Sequence, residues 1–304
     1  MRPIRILLAA LALALPTQAL AQDPGTLNPK PLPPIKNPDD PSVPAKELFG
    51  RATTGAPLAA RAIGGYAKGC VAGATALPVD GDTWQVMRLS RNRNWGHPNL
   101  IRFLERLSKR TPEINGWPGL LVGDLAQPRG GPMLTGHASH QIGLDADVWL
   151  TPMPSRRLSR AEREEMSATN LVRADRRDID PSAYTPAHVA LLKAVAKERE
   201  VARIFVNPAI KKALCRDAGS DRAWLSKIRP MFGHNYHFHI RLWCPPGDEG
   251  CADQEPPAPG DGCGAELDRW FTDEMLFPKP GGKPRPPMLM SQLPAECRKV
   301  LVAK

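Results

Sequence analysis

Residues 136–150 read Gly-His-Ala-Ser-His-Gln-Ile-Gly-Leu-Asp-Ala-Asp-Val-Trp-Leu. Two histidines, His137 and His140, precede a turn at Gly143, and from Leu144 to Leu150 the residues alternate as in a β-strand. The side-chain period of a strand is two, so Asp145, Asp147 and Trp149 share one face. Leu144, Ala146, Val148 and Leu150 share the other and can face a core. A related pattern stands at 233–244, Gly-His-Asn-Tyr-His-Phe-His-Ile-Arg-Leu-Trp-Cys. There the alternation from Tyr236 to Trp243 puts His237, His239, Arg241 and Trp243 on one face and Phe238, Ile240 and Leu242 on the other. His237 and His239 then project side by side, about 7 Å apart at the backbone. Five of the seven histidines fall in these two segments.

The flanking patterns alternate between helix and strand. Thr83 to Leu89, Gly119 to Leu125 and Ile204 to Val206 read as short strands. Leu100, Ile101, Phe103, Leu104 and Leu107 lie on one helical face. Thr185-Pro186 supplies an N-cap and a first-turn proline for a stripe of Val189, Leu191, Leu192, Val195 and Ala196, and Asn207-Pro208 opens a helix carrying Cys215. No regular βαβ repeat or glycine fingerprint is present, so the expected class is α+β.

Met1 to Ala21 has the form of a secretory signal peptide: Arg2 and Arg5, an apolar run from Ile6 to Leu15, and Ala19-Leu20-Ala21 as the cleavage site. The run is too short for a comfortable bilayer span, so no stable membrane insertion is expected after cleavage. Residues 22–46 form a Pro-rich leader, expected to be stiff and extended, and 47–304 one catalytic domain. Two further Pro-rich stretches, Pro245 to Gly260 and Pro278 to Pro294, read as connections. The formal net charge of +10 suits an anionic partner such as a cell-wall polymer, or serves solubility alone. Nucleic acid is not the expected partner, since zinc-finger spacing and an aromatic RNP-like run are both missing. Six cysteines in an exported chain favour three disulfides, although spacing does not choose among 15 pairings.

The histidines and aspartates of the two clusters have the composition of a zinc site with an open position for water. Asp145 reads as a turn or salt-bridge residue in preference to a ligand, Arg241 as a salt-bridge or exposed strand arginine, and His97 and His188 as ordinary structure. No H-E-x-x-H helix, deaminase motif, G-x-S-x-G elbow or S-x-x-K motif occurs, which leaves metal-assisted hydrolysis as the chemistry.

His140-Gln-Ile-Gly143-Leu-Asp-Ala-Asp147, followed by His237-Phe-His239, resembles the H-x-x-G-x-x-x-D and H-x-H pattern of the penicillin-insensitive murein endopeptidases, a branch of the LAS metallopeptidases. The strings G-H-A-S-H-Q, F-G-H-x-x-H-F-H and S-R-N-R-x-x-G-H-P (Ser90 to Pro98) are similar to the same branch, and the resemblance runs from about Cys70 to Cys297. It implies a LAS-type fold in which a central antiparallel sheet carries a zinc site, with helices around it and disulfides stabilising it. His140, Asp147 and His239 would be the Zn2+ ligands and His237 the general base. His234 and His137 would be further site histidines that polarise substrate or orient a ligand. The implied bridges are Cys70–Cys297, Cys215–Cys263 and Cys244–Cys251. The implied function is a periplasmic endopeptidase that hydrolyses D-alanyl-diaminopimelate cross-links of peptidoglycan through a metal-activated water. A zinc carboxypeptidase trimming stem peptides and a non-catalytic wall-binding protein are the alternatives. With no serine nucleophile, a β-lactam has nothing to acylate.

Overall fold

The computed structural model describes residues 24–278 and 286–304, so the signal-like segment lies outside the described residues. Its centre is a six-stranded sheet in the order β4-β6-β7-β10-β8-β9. The strands are β4 (Trp84–Val86), β6 (Leu120–Val122), β7 (Asp145–Trp149), β8 (Val201–Val206), β9 (Ile228–Pro230) and β10 (His237–Leu242). Around it stand a hairpin of β1 (Arg61–Gly65) and β2 (Lys68–Ala72), and a small pair of β3 (Thr75–Ala76) and β5 (Trp95–Gly96). The expected antiparallel sheet is found in its four central strands, while β4 runs parallel to β6 and β9 parallel to β8. The sheet is therefore mixed and the fold α+β.

The apolar faces of the two quoted strands bury as their alternation requires. Ala146, Val148, Phe238 and Ile240 are all inaccessible to solvent. They join one core with Leu104 of α2 (Pro98–Asn115) and Leu191 of α4 (Pro186–Lys197). Each such large apolar side chain contributes about 1.5–3 kcal/mol by leaving water. The polar faces are buried as well, so the carboxylates and imidazoles on them sit in a nearly dry layer under the loops at 136–143 and 231–236. The strand expected over Thr83 to Leu89 stops at Val86, because Arg88 takes a left-handed backbone (φ 57°). That turn sends its guanidinium to the carbonyls of Arg163, Glu164 and Met166 at the end of α3 (Arg160–Glu165).

All six cysteines are paired: Cys70–Cys297, Cys215–Cys263 and Cys244–Cys251. This is the chemistry of an exported protein. The first bridge closes a separation of 227 residues, a constraint worth about 5 kcal/mol on the unfolded chain in the loop-entropy picture. It holds α8 (Glu296–Val302) beside β2, and around it Phe49 of α1 (Ala45–Phe49), Ile63, Leu293 and Val300 form a second apolar cluster. The disulfide thus anchors the chain after the third Pro-rich stretch, part of which lies outside the described residues. Residues 24–43 contain no helix or strand and run along the body, with the Thr26 amide donating to Ser90 Oγ at 3.0 Å. Cys215 lies in α5 (Pro208–Asp217), and Cys263 precedes the short helices α6 (Ala265–Asp268) and α7 (Asp273–Leu276). Among the described residues no helix is long and apolar enough to cross a membrane.

His97 and His188 are structural, as expected. His97 Nδ1 accepts the Asn99 amide at the start of α2. In His188, Nδ1 accepts the Thr185 amide and Nε2 donates to the Leu150 carbonyl, both at 3.0 Å, which needs the neutral ring. Burial holds the His188 pKa below its ordinary 6.5, outweighing the backbone hydrogen bonds with Leu150 and Thr185. Below about pH 6.5 the unfolded chain therefore takes up a proton that the folded chain refuses. This contribution to stability is complete above that pH and is lost as pH falls through the folded pKa. Urea unfolding of the wild type between pH 7.5 and 5 should lose more stability than that of His188→Gln. Equal losses would place the acid sensitivity elsewhere.

Candidate metal centre

Strand register assembles the site. In the antiparallel pairing of β7 with β10, His239 stands opposite Asp147, His237 opposite Trp149 and Arg241 opposite Asp145. The two polar faces thus become one continuous buried surface. His140 is brought over it by the loop that ends at Gly143, whose φ of 73° and close approach to the His97 amide exclude a side chain. Gln141 pins this loop to the β1–β2 hairpin: its side chain accepts the Gly69 amide and donates to the Ala67 carbonyl. His140 itself holds φ at 65°, a conformation that costs a non-glycine residue about 1 kcal/mol or more and tends to occur at functional sites.

Asp147 is the hub. Its Oδ1 lies 3.5 Å from His140 Nε2 and 3.6 Å from His239 Nδ1, and its Oδ2 lies 3.5 Å from His137 Nε2 and 3.6 Å from His237 Nε2. Both ring nitrogens of His140, Oδ1 of Asp147 and Nδ1 of His237 are buried without a hydrogen-bond partner. Leaving a buried polar atom unpaired costs about 1–3 kcal/mol, and Asp147 Oδ1 facing His140 Nε2 and His239 Nδ1 across 3.5–3.6 Å is an arrangement a cation satisfies. His137, His140 and Asp147 each bring a ligand atom within 4.8 Å of the others. His239 reaches the same carboxylate through Nδ1. Imidazole and carboxylate donors suit a borderline divalent ion such as zinc, so the residues present fit a metal.

Asp145 orients the set from behind. It is fully buried, and Arg241 grips it through Nε at 2.8 Å and a terminal nitrogen at 3.1 Å. The same carboxylate accepts the His140 backbone amide at 2.9 Å and lies 3.0 Å from His239 Nε2, a contact that turns Nδ1 of that ring toward Asp147. Arg241 is sandwiched between the Tyr66 and Phe205 rings, 4.1 and 5.2 Å from their centroids. Both residues therefore have the salt-bridge role read from the sequence.

The remaining histidines differ in charge preference. Burial pushes His239 down to about 4 against the pull of Asp145, and pushes His237 down to about 3 against that of Asp147. Both rings are therefore neutral at neutral pH. His234 is also lowered by burial, and its Nδ1 donates to the Phe232 carbonyl at 3.0 Å, which leaves Nε2 as an acceptor. His137 goes the other way: burial disfavours its cation, but Asp147 and a 3.0 Å hydrogen bond to Asp124 outweigh that and raise the pKa. Asp124 is buried too, yet His137 together with Arg91 and Arg93 holds it well below the usual carboxylate range.

All six site residues expected from the sequence, His137, His140, Asp147, His234, His237 and His239, therefore converge. Asp124 was not among them. Its one available signal was a carboxylate interrupting the apolar run Gly119 to Leu125. Arg91 and Arg93 stood inside the quoted S-R-N-R string without a role. They line, with Tyr236 and Trp149, a cleft of about 140 Å³ open to Asp147 and His237.

Comparison with known proteins agrees with this geometry. The description of the penicillin-insensitive murein endopeptidase family matches residues 62–302. A protein of that name from Yersinia enterocolitica is 47% identical over 241 residues, 79% of this chain and 85% of its own. The Haemophilus influenzae protein of the same name is 47% identical over 79% of this chain and 82% of its own. That of Klebsiella pneumoniae is 46% identical over 80% and 86%. The match over residues 62–302 and the relatives at 46–47% identity place this chain in the penicillin-insensitive murein endopeptidase family of peptidases, and the buried histidine–carboxylate constellation is consistent with it.

Proposed function

We propose that this protein is a zinc endopeptidase, exported to the periplasm as residues 22–304, that hydrolyses the D-alanyl-diaminopimelate cross-link of peptidoglycan. The observation that carries the reading is the set of unpartnered buried atoms around Asp147, on the strand pair that also presents His237. His140 Nε2, Asp147 Oδ1 and His239 Nδ1 would hold the ion, with His137 beside them. When bound, zinc supplies Lewis acidity toward water and toward the scissile carbonyl. His237, kept neutral by burial, accepts at Nε2 the proton of the attacking water and returns it to the leaving amine. His137, whose Nε2 lies between Asp124 and Asp147, would orient the Asp147 carboxylate. Nε2 of His234, whose ring stands 4.8 Å from that of His237, remains available to substrate, since Nδ1 is committed to Phe232.

Digestion of cross-linked muropeptide dimers by the purified protein tests this. Monomers should form, vanish with a chelator and return on adding zinc. Intact dimers under zinc-replete conditions would overturn the reading and leave a wall-binding protein. Loss of terminal D-alanine alone would indicate a carboxypeptidase.

A further inference from the structure

Tyr236 stands between His234 and His237 in the string Gly-His-Asn-Tyr-His-Phe-His and is not among the six site residues. Strand alternation would send its side chain to the face opposite His237, into the core with Phe238. The chain does otherwise, because β10 begins only at His237. The Tyr236 carbonyl accepts the Leu150 amide at 2.9 Å, and the ring packs against the apolar cluster that contains Met87, Leu121 and Trp149. Trp149 shares the Asp147 face of β7, so the tyrosine stands on the metal side of the sheet. It lines the cleft with Asp147 and His237, its ring centroid 4.6 Å from that of His237 and the planes inclined at 57°.

The side chain is half-buried, yet its hydroxyl makes no hydrogen bond among the described residues. A phenol in such a place ordinarily finds a partner, since drying its polar end without one is costly. Asp147 is the charge that acts on this group most strongly, followed by Arg91, Asp124 and Arg88. Burial and the two carboxylates raise its pKa against the two arginines, so at neutral pH it keeps its proton and can donate.

We infer that Tyr236 is a further catalytic residue, whose hydroxyl donates a hydrogen bond to the scissile carbonyl oxygen as negative charge develops there. The inference rests on the function proposed above and deepens it. The scissile carbonyl must sit within reach of the water that gives its proton to His237, and so beside the adjoining phenol ring. A donor fixed by packing in a nearly dry site stabilises developing charge without having to reorganise. No bond to the tyrosine forms, and its proton stays on the phenol throughout.

Tyr236→Phe removes only the hydroxyl and keeps the packing of the ring. Cleavage of cross-linked muropeptide dimers should slow about 10- to 100-fold in kcat, with KM changed by less than about threefold. Metal content and the pH dependence of kcat should stay as in the wild type. A second measurement needs no turnover: calorimetric binding of two ligands to the metal-loaded protein. One is a phosphinate analogue of the cross-link, tetrahedral and anionic where the scissile carbonyl stands, and the other is the amine product. Tyr236→Phe should weaken the phosphinate about 10- to 100-fold and leave the product within about twofold. Equal weakening of both ligands, a loss carried by KM alone or a loss of metal would overturn the role and leave the ring as packing. A wild type that neither cleaves the dimers nor binds the phosphinate sinks the proposed function together with this role. A wild type that does both, matched in kcat and phosphinate affinity by Tyr236→Phe, sinks this role alone.

Discussion

Asp147→Ala should leave the protein folded and unable to retain a metal. Among the described residues, Asp147 is the one carboxylate that reaches four imidazoles, at 3.5–3.6 Å from His137, His140, His237 and His239. Without it the cluster is a group of buried, mostly neutral rings with no anionic donor, and a divalent cation would enter a dry pocket without charge compensation. Loss of a supporting partner of a ligand commonly costs 10- to 100-fold in metal affinity, so removal of the central carboxylate is expected to cost at least about 100-fold. Metal content after dialysis and muropeptide cleavage should fall together. Asp147→Asn keeps the volume and removes the charge, and should show the same loss. Full metal occupancy in both variants would remove Asp147 from the ligand set.

His237→Ala should separate the two properties. His237 projects from β10 beside His239 and stands opposite Trp149, at the edge of the Asp147 contact network. Its Nδ1 has no partner, and its Nε2 approaches only the outer oxygen of the carboxylate. Removing this ring leaves His140, Asp147, His239 and His137 in place. Metal affinity should change by no more than a few-fold, while turnover falls about 100- to 10,000-fold, the range for a lost general base. Equal metal loss in His237→Ala and Asp147→Ala would show that ligand and base roles are wrongly divided between them.

The fold was legible in some segments and closed in others, for identifiable reasons. Leu144 to Leu150 and Tyr236 to Trp243 announce strands because a two-residue period is a local property. Leu100 to Leu107 and the cap at Thr185-Pro186 announce helices on equally local grounds. Thr83 to Leu89 misleads at its end because Arg88 is drawn into a left-handed turn by carbonyls of α3, a partner far along the chain. His188 takes a buried position at the start of the α4 stripe, where Val189 is only half-buried, because Thr185 and Leu150 offer its ring two hydrogen bonds.

The site divides in the same way. Residue types and spacing are enough to nominate His140, Asp147, His237 and His239 and to say that they point off strands or their flanking turns. Composition likewise announces paired cysteines. Which atoms meet is a property of register: a shift of one residue between β7 and β10 would turn one polar face to the other side of the sheet and disperse the cluster. Register is set by non-local packing of Val148 against Phe238 and Ala146 against Ile240. The same distant contacts bring Asp124 from β6's end to His137 and Arg241 to Asp145. Chemistry was therefore written in short strings, whereas charge balance, ring orientation and the arginine-lined cleft exist only once strands far apart in the chain are paired, since hydrogen bonds and Coulomb forces act over a few ångströms of space and not along the chain.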